Sequence, residues 1–368
     1  MSVSVLVVGG GLVGTLLALR LSEGGCTVQV LDAGRAGAEA SSAAAGILAA
    51  QSEATTPGPG LDLGLESRAL HAALHAELGA PGSGYRPNGA LLPTTASDHG
   101  AAVARHAWQV ERGLRVDALD AASLRAVAPG LHPRFTGGVL FADDATVDPP
   151  VLMASALAAA ARSGVAFAHD EAALAVTSHG GRVTGVRTAR GHRGADVVVL
   201  CAGAWSRLVE GALDASQGVA PARGQLIEYA LDPVPFGPVL YTGGGYLVPR
   251  ADGRVCVGST LEMVGFERGT TAAGLETLRE RAADAVPALA AAPLRRAWSS
   301  FRPRTPDGMP YVGALATDGL FVAAGHHRSG VLFAPVTAEI VRDLVVHGRR
   351  HRHLDALSPD RFRQGPRA

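Results

Sequence analysis

Val3-Ser4-Val5-Leu6-Val7-Val8-Gly9-Gly10-Gly11-Leu12-Val13-Gly14 is the stretch on which the fold turns. Its first six residues, apolar and β-branched apart from Ser4, have strand length and suit a strand buried on both faces of a parallel sheet. Residues 16–21 have helix-forming composition and apolar spacing, and Gly24-Gly25 gives a C-terminal stop. Thr27–Leu31 reads as a second strand, with Asp32 at its end. Strand, glycine turn, helix, strand, acid is the order of the dinucleotide-binding fold.

Each position has a physical reason. Gly9 permits the tight turn, Gly11 lets backbone approach a pyrophosphate, and Gly14 lets the helix pack close to the strand. The pyrophosphate charge then rests on the helix N-terminus at Leu12 and Val13. Asp32 stands 23 positions after Gly9 and, with Ala33 beside it, is placed to accept hydrogen bonds from ribose hydroxyls. The motif alone does not separate NAD from FAD.

Composition narrows the partners. The 368 residues are 47% hydrophobic and 18% charged, which excludes a disordered or fibrous chain and leaves room for two domains. Lys+Arg and Asp+Glu both count 33, so no basic excess is available for a nucleic acid or an anionic membrane. Every basic side chain other than histidine is Arg, which removes lysine Schiff-base and lysine general-base chemistry. Cys26, Cys201 and Cys256 lie far apart with no CxxC, so neither a disulfide framework nor a zinc site is supported and a cytoplasmic setting is expected. The apolar opening is too short to span a bilayer.

Beyond Asp32, Ala40-Ser41-Ser42-Ala43-Ala44-Ala45-Gly46-Ile47-Leu48 offers two hydroxyls and then small residues, a shelf on which a flat ligand can lie close to backbone. Here the chain resembles the D-amino-acid oxidase family of flavoproteins, most closely the bacterial glycine oxidases that feed thiazole synthesis for thiamine. Phe301-Arg302-Pro303-Arg304-Thr305-Pro306-Asp307-Gly308-Met309-Pro310-Tyr311-Val312-Gly313 resembles the family's RPxTPDGxPxIG segment. Gly325-His326-His327-Arg328-Ser329-Gly330-Val331-Leu332-Phe333-Ala334-Pro335 resembles its GHxRxGixLAP segment. These motifs stand in family order and the similarity spans nearly the whole chain.

The resemblance implies an α/β chain with an α+β substrate part: a Rossmann-like FAD-binding domain (1–83, 145–221, 301–368) interleaved with a smaller antiparallel-sheet substrate domain (84–144, 222–300). Read locally, Asp148 caps a helix over 151–162. Strands follow at 165–168, 173–177, 182–188 and 196–201, with Gly180-Gly181 as a hairpin turn. Further strands are expected at 223–229, 245–250 and 255–259, and helices at 101–112 and 274–285. Residues 53–63 read as a mobile loop, and 348–353 as a solvated end.

The resemblance further implies a noncovalent FAD, since no cysteine stands in a flavin-tethering motif. It places Ser41, Ser42, Ala45, Gly46 and Ile47 along the pyrophosphate and flavin, Ala173 against the adenine, and Gly203 and Trp205 in the returning segment. Ser329, Gly330, Val331 and Leu332 bring backbone donors to flavin O2. Arg302 is the candidate carboxylate clamp, because a planar guanidinium fork matches two oxygens. Tyr246 could bond the substrate carboxylate or amine, or be a half-buried strand aromatic. Arg328 could partner the carboxylate or shield the flavin's pyrimidine end. A glycine at 244, where glycine oxidases can carry a larger polar residue, leaves pocket size open.

The implied reaction is oxidation of glycine, sarcosine or a small D-amino acid by hydride transfer to flavin, with O2 as acceptor, H2O2 as product and no dedicated base. The alternatives are a D-amino-acid dehydrogenase passing electrons to a quinone and a structural nucleotide-binding module. No metal is expected. Adjacent His326 and His327 point opposite ways in an extended chain, and His71 and His75, lacking a third ligand, read as a surface pair. A homo-oligomer is expected from the family.

Overall fold

A computed structural model describes residues 2–79, 82–214 and 216–362. The glycine turn leaves the middle of a six-stranded sheet ordered Tyr311–Ala314, Leu320–Ala324, Val197–Leu200, Ser4–Val8, Thr27–Leu31, Ala166–Ala168. Neighbours are parallel except Tyr311–Ala314 on Leu320–Ala324. Flanked on both sides, Ser4–Val8 buries Val5 to Val8, which is why this strand reads as nearly unbroken apolar sequence. The opening helix Leu12–Glu23 lies against the late helix Gly330–His347 and the helix Pro149–Arg162, and together they enclose the main apolar core.

A second, eight-stranded sheet faces the first across a cavity. Its order is Leu294–Arg304, Ala220–Ala230, Arg254–Gly258, Gly245–Pro249, Val239–Thr242, Ala90–Thr94, Gly137–Phe141, Asp117–Leu119. It is antiparallel apart from the Val239–Thr242 and Ala90–Thr94 pair. A three-stranded sheet of Ala173–His179, Arg182–Thr188 and Gly191–Gly194 turns at Gly180-Gly181. Among the described residues no helix is long and apolar enough to cross a membrane.

Three local expectations change. The helix Pro59–Leu78 takes in the end of the segment read as a loop, and Glu53 at its other end is tied by ion pairing to Arg328. Asp148 precedes its helix but makes no capping bond there, because its carboxylate instead accepts from Arg254 at 2.6 Å. The tail at 348–353 is docked: His351, Arg352 and His353 converge on Glu66, and His353 is buried.

Candidate active site

The glycine turn is closed by its own chemistry. Gly9, at φ 109°, donates to the Leu31 carbonyl at 2.7 Å. Asp32 accepts from the backbone N–H of Gly10 at 2.8 Å and of Gly34 at 2.9 Å, fastening the turn to the end of the second strand. A Cβ at Gly14 would lie 2.0 Å from the Gly9 carbonyl oxygen, so only glycine brings the helix this close. The Ser41 hydroxyl accepts from the Leu12 N–H at 2.8 Å, and because the first intrahelical bond runs from the Thr15 N–H to Gly11, the Val13 and Gly14 N–H groups have no acceptor within the helix.

The cavity, about 710 Å3, runs between the two sheets. One wall holds Gly9, Gly11, Leu12, Val13, Gly14, Asp32 and Ala33, followed by Ser41, Ala45, Gly46 and Ile47. Ala173, Gly203, Trp205, Ser329, Gly330, Val331 and Leu332 also line it; Tyr246 and Arg302 come from strands of the facing eight-stranded sheet, and Arg328 from the segment just before the late helix. Of the residues read from sequence as catalytic or cofactor-binding, all but Ser42 line the cavity. Gly244 is absent too; it sits at the hairpin tip after Val239–Thr242 with φ 73°, so its size acts on the turn.

Arg302 lies in the strand Leu294–Arg304, opposite Ala222 in register. Its guanidinium covers Gly224, where a Cβ would come within 2.1 Å of Nη1. Nη2 donates to the Ser259 hydroxyl at 2.5 Å and Nη1 to the Thr260 carbonyl at 3.2 Å. Among the described residues no carboxylate lies in ion-pair reach of this half-buried cation, which therefore presents an unneutralised charge to the cavity. Tyr246 is buried opposite Gly258, whose missing side chain makes room for the ring. Burial pushes the Tyr246 phenol up, so it stays protonated and can donate.

Arg328 is differently placed. Its guanidinium donates to both oxygens of Glu53, at 3.2 and 2.8 Å, and the Tyr241 hydroxyl donates to the same carboxylate at 3.2 Å. His326 turns to Thr337, 3.0 Å away, while His327, at φ 44°, keeps a buried Nε2 without a partner beside the cavity. Burial, reinforced by the arginines at 302 and 328, lowers the His327 pKa to about 4, so this imidazole is neutral near pH 7. The Cys201 thiol also lines the cavity, and burial raises its pKa to about 12, which leaves it a poor nucleophile.

His71 corrects the reading of a surface pair. It is fully buried and bonds the carbonyls of Val331 and Leu332 beneath the first turn of the late helix, whereas His75 bonds Ser83. Glu53, Ser259 and Thr260 were not legible as site residues, since their partners lie far away in sequence. The signal available for His71 was Pro335, a proline inside a helix that needs a replacement donor.

A flavin dinucleotide suits this lining on three counts. Gly11 leaves open a cradle that a side chain would enter, two helix N-termini converge on the cavity, and His327 offers an atom with no polar partner among the described residues. The family model described as FAD dependent oxidoreductase (DAO) matches residues 4–344. The glycine oxidase of Geobacillus kaustophilus is 34% identical over 351 residues, covering 93% of this chain and 92% of that protein. The bifunctional protein ThiO/ThiG of Synechocystis is 35% identical over 367 residues. That alignment takes in 97% of this chain, which spans only 54% of the relative's length. The crystal structure of the Geobacillus kaustophilus glycine oxidase superposes with a TM-score of 0.90 at 31% identity, covering 97% of this chain and 98% of that one.

Proposed function

The chain belongs to the DAO family of FAD-dependent oxidoreductases, and from that premise we propose that it oxidatively deaminates glycine or a small amine or D-amino acid such as sarcosine or D-alanine. In this reading O2 is the electron acceptor, and the imine product enters thiazole synthesis or is hydrolysed. The observation that carries the proposal is Arg302: a half-buried guanidinium that lines the cavity and, among the described residues, has a hydroxyl and a carbonyl as its hydrogen-bond partners.

FAD, when bound, supplies the redox chemistry, taking a hydride from the substrate α-carbon and returning the electrons to O2 as H2O2. The protein's share is binding and orientation. Arg302 grips the substrate carboxylate through its fork, and Ser259 and Thr260 hold that fork at a set angle. The protonated Tyr246 hydroxyl donates a further hydrogen bond to the carboxylate. Gly9, Gly11, Leu12, Val13, Gly14 and Ser41 would hold the pyrophosphate, and Asp32 the ribose. Backbone N–H groups at 330–332, at the start of the late helix, would supply hydrogen-bond donors to the flavin. The cofactor is held noncovalently, in keeping with a Cys201 thiol that remains protonated.

Anaerobic mixing of the purified holoenzyme with glycine, sarcosine and D-alanine tests the reading. Bleaching of the flavin by at least one of them is expected, with about one peroxide released per substrate oxidised once air is admitted. Flavin that no amine or amino acid bleaches rejects the proposal. Rapid dye reduction with negligible peroxide moves the chain to the dehydrogenases that use a quinone.

A further inference from the structure

Two guanidinium groups line the same cavity and are treated oppositely. Among the described residues Arg302 has neutral partners, whereas Arg328 has a whole carboxylate, with Nε and Nη2 reaching separate oxygens of Glu53. We propose that Glu53 determines specificity here: by neutralising Arg328 it restricts the cavity to amino acids bearing one carboxylate, and loss of its charge admits small dicarboxylic amino acids. This rests on the reading of Arg302 as the carboxylate clamp.

Glu53 is held in place from the interior. The N–H groups of Gln51 and Ser52 donate to Asp144 at 3.1 and 2.9 Å, and Arg68 donates to the same carboxylate at 2.9 Å. Asp144 is fully buried, so the two residues before Glu53 are pinned to the protein's centre. The Tyr241 hydroxyl then fixes the Glu53 carboxylate from the side, and its ring meets Tyr246 edge-on at 6.5 Å. Arg302, Arg328 and Tyr246 all line the cavity, as does Glu53.

A substrate gripped by Arg302 can offer a second carboxylate to Arg328 only by facing Glu53. The Glu53 side chain is 29% exposed, so solvent screens the repulsion only in part. Glu53→Gln keeps the shape, removes the repulsion and leaves Arg328 with an uncompensated charge.

The test uses holoenzyme and unreactive acids. Acetate, malonate and succinate are titrated into wild type, Glu53→Gln, Arg302→Ala, Arg328→Ala and the Glu53→Gln/Arg328→Ala double variant, with flavin absorption as the readout. Glu53→Gln is expected to strengthen diacid binding relative to acetate by about tenfold or more, and the double variant to lose that gain. The ratio of kcat/KM for D-aspartate over D-alanine should rise in parallel. A merely structural role for Glu53 would weaken all three acids together. An unchanged ratio, or a gain that survives removal of Arg328, overturns the inference, and Glu53→Ser gives the same comparison should the Gln variant not fold. Acetate that binds wild type and Arg302→Ala equally removes the clamp, and this inference with it. Acetate that requires Arg302 while the diacid ratio stays fixed removes this inference alone.

Discussion

His71 supplies the hydrogen bond that Pro335 cannot: its Nε2–H donates to the Val331 carbonyl oxygen at 2.9 Å. In an α-helix the Val331 carbonyl would accept from the N–H of residue 335, and proline has none. Ser67, one turn earlier on Pro59–Leu78, serves the next carbonyl, donating to Leu332 at 2.5 Å and accepting from the Val336 N–H at 3.3 Å. The gap that the proline leaves in the helix's hydrogen-bond ladder is thus filled by two side chains from another helix. His71→Leu leaves a buried carbonyl unpaired and should lower stability by about 1–3 kcal/mol in denaturant unfolding. An unfolding midpoint indistinguishable from wild type would show that the carbonyl finds another donor.

The same residue gives a pH dependence with a definite sign. Burial lowers the His71 pKa from 6.5 to about 4, so the folded state resists a proton that the unfolded state accepts. Its contribution is complete above pH 6.5 and is lost as pH falls through 4. Asp144 works in the opposite sense, since burial raises its carboxyl, so wild type alone does not isolate the histidine. The difference between wild type and His71→Leu does. Between pH 6.5 and 4 the variant's stability should fall less steeply, by up to about 1.4 kcal/mol per pH unit. Parallel pH profiles would mean that His71 does not stay neutral in the fold.

Local physics made the nucleotide half legible. Ser4–Val8, the glycine turn and Asp32 are neighbours in sequence, so strand burial, turn and acid can all be read from one stretch. Arg302 and Arg328 were legible through family motifs, not through periodicity. The strand Leu294–Arg304 was not legible at all: it holds four arginines, and what makes it a strand is pairing along Ala220–Ala230. Glu53 contacts Arg328 across 275 positions and His71 contacts Val331 across 260, distances over which no spacing rule operates. Short-range patterns locate an element, and long-range contacts decide which charges are free.

That distinction sets the expectation for Arg302. Arg302→Ala should retain flavin, because among the described residues the guanidinium bonds Ser259 and Thr260 and no part of the glycine turn. The value of kcat/KM for carboxylate-bearing substrates should fall by about 10- to 100-fold, the worth of one charge-assisted pair. Arg302→Lys keeps the charge but not the fork and should fall between the two. The comparison that decides is with simple amines: if their oxidation declines as much as that of amino acids, Arg302 is not a carboxylate clamp.

Gly11 separates folding from cofactor binding. A Cβ at Gly14 would strike the Gly9 carbonyl at 2.0 Å and must disturb the packing of helix on strand. A Cβ at Gly11 meets a single atom, the Ser41 hydroxyl oxygen at 3.1 Å, and otherwise points into space where a pyrophosphate would approach. Gly11→Ala should therefore leave the apoprotein's unfolding midpoint within about 1 kcal/mol of wild type, since Ser41 need shift only slightly. FAD affinity, followed by quenching of flavin fluorescence, should nevertheless drop about tenfold or more, the effect of holding a diphosphate away from its backbone donors. Gly14→Ala should lose both together. An alanine at 11 that binds FAD as tightly as wild type would place the pyrophosphate elsewhere, because no other feature of that turn requires a bare backbone at 11.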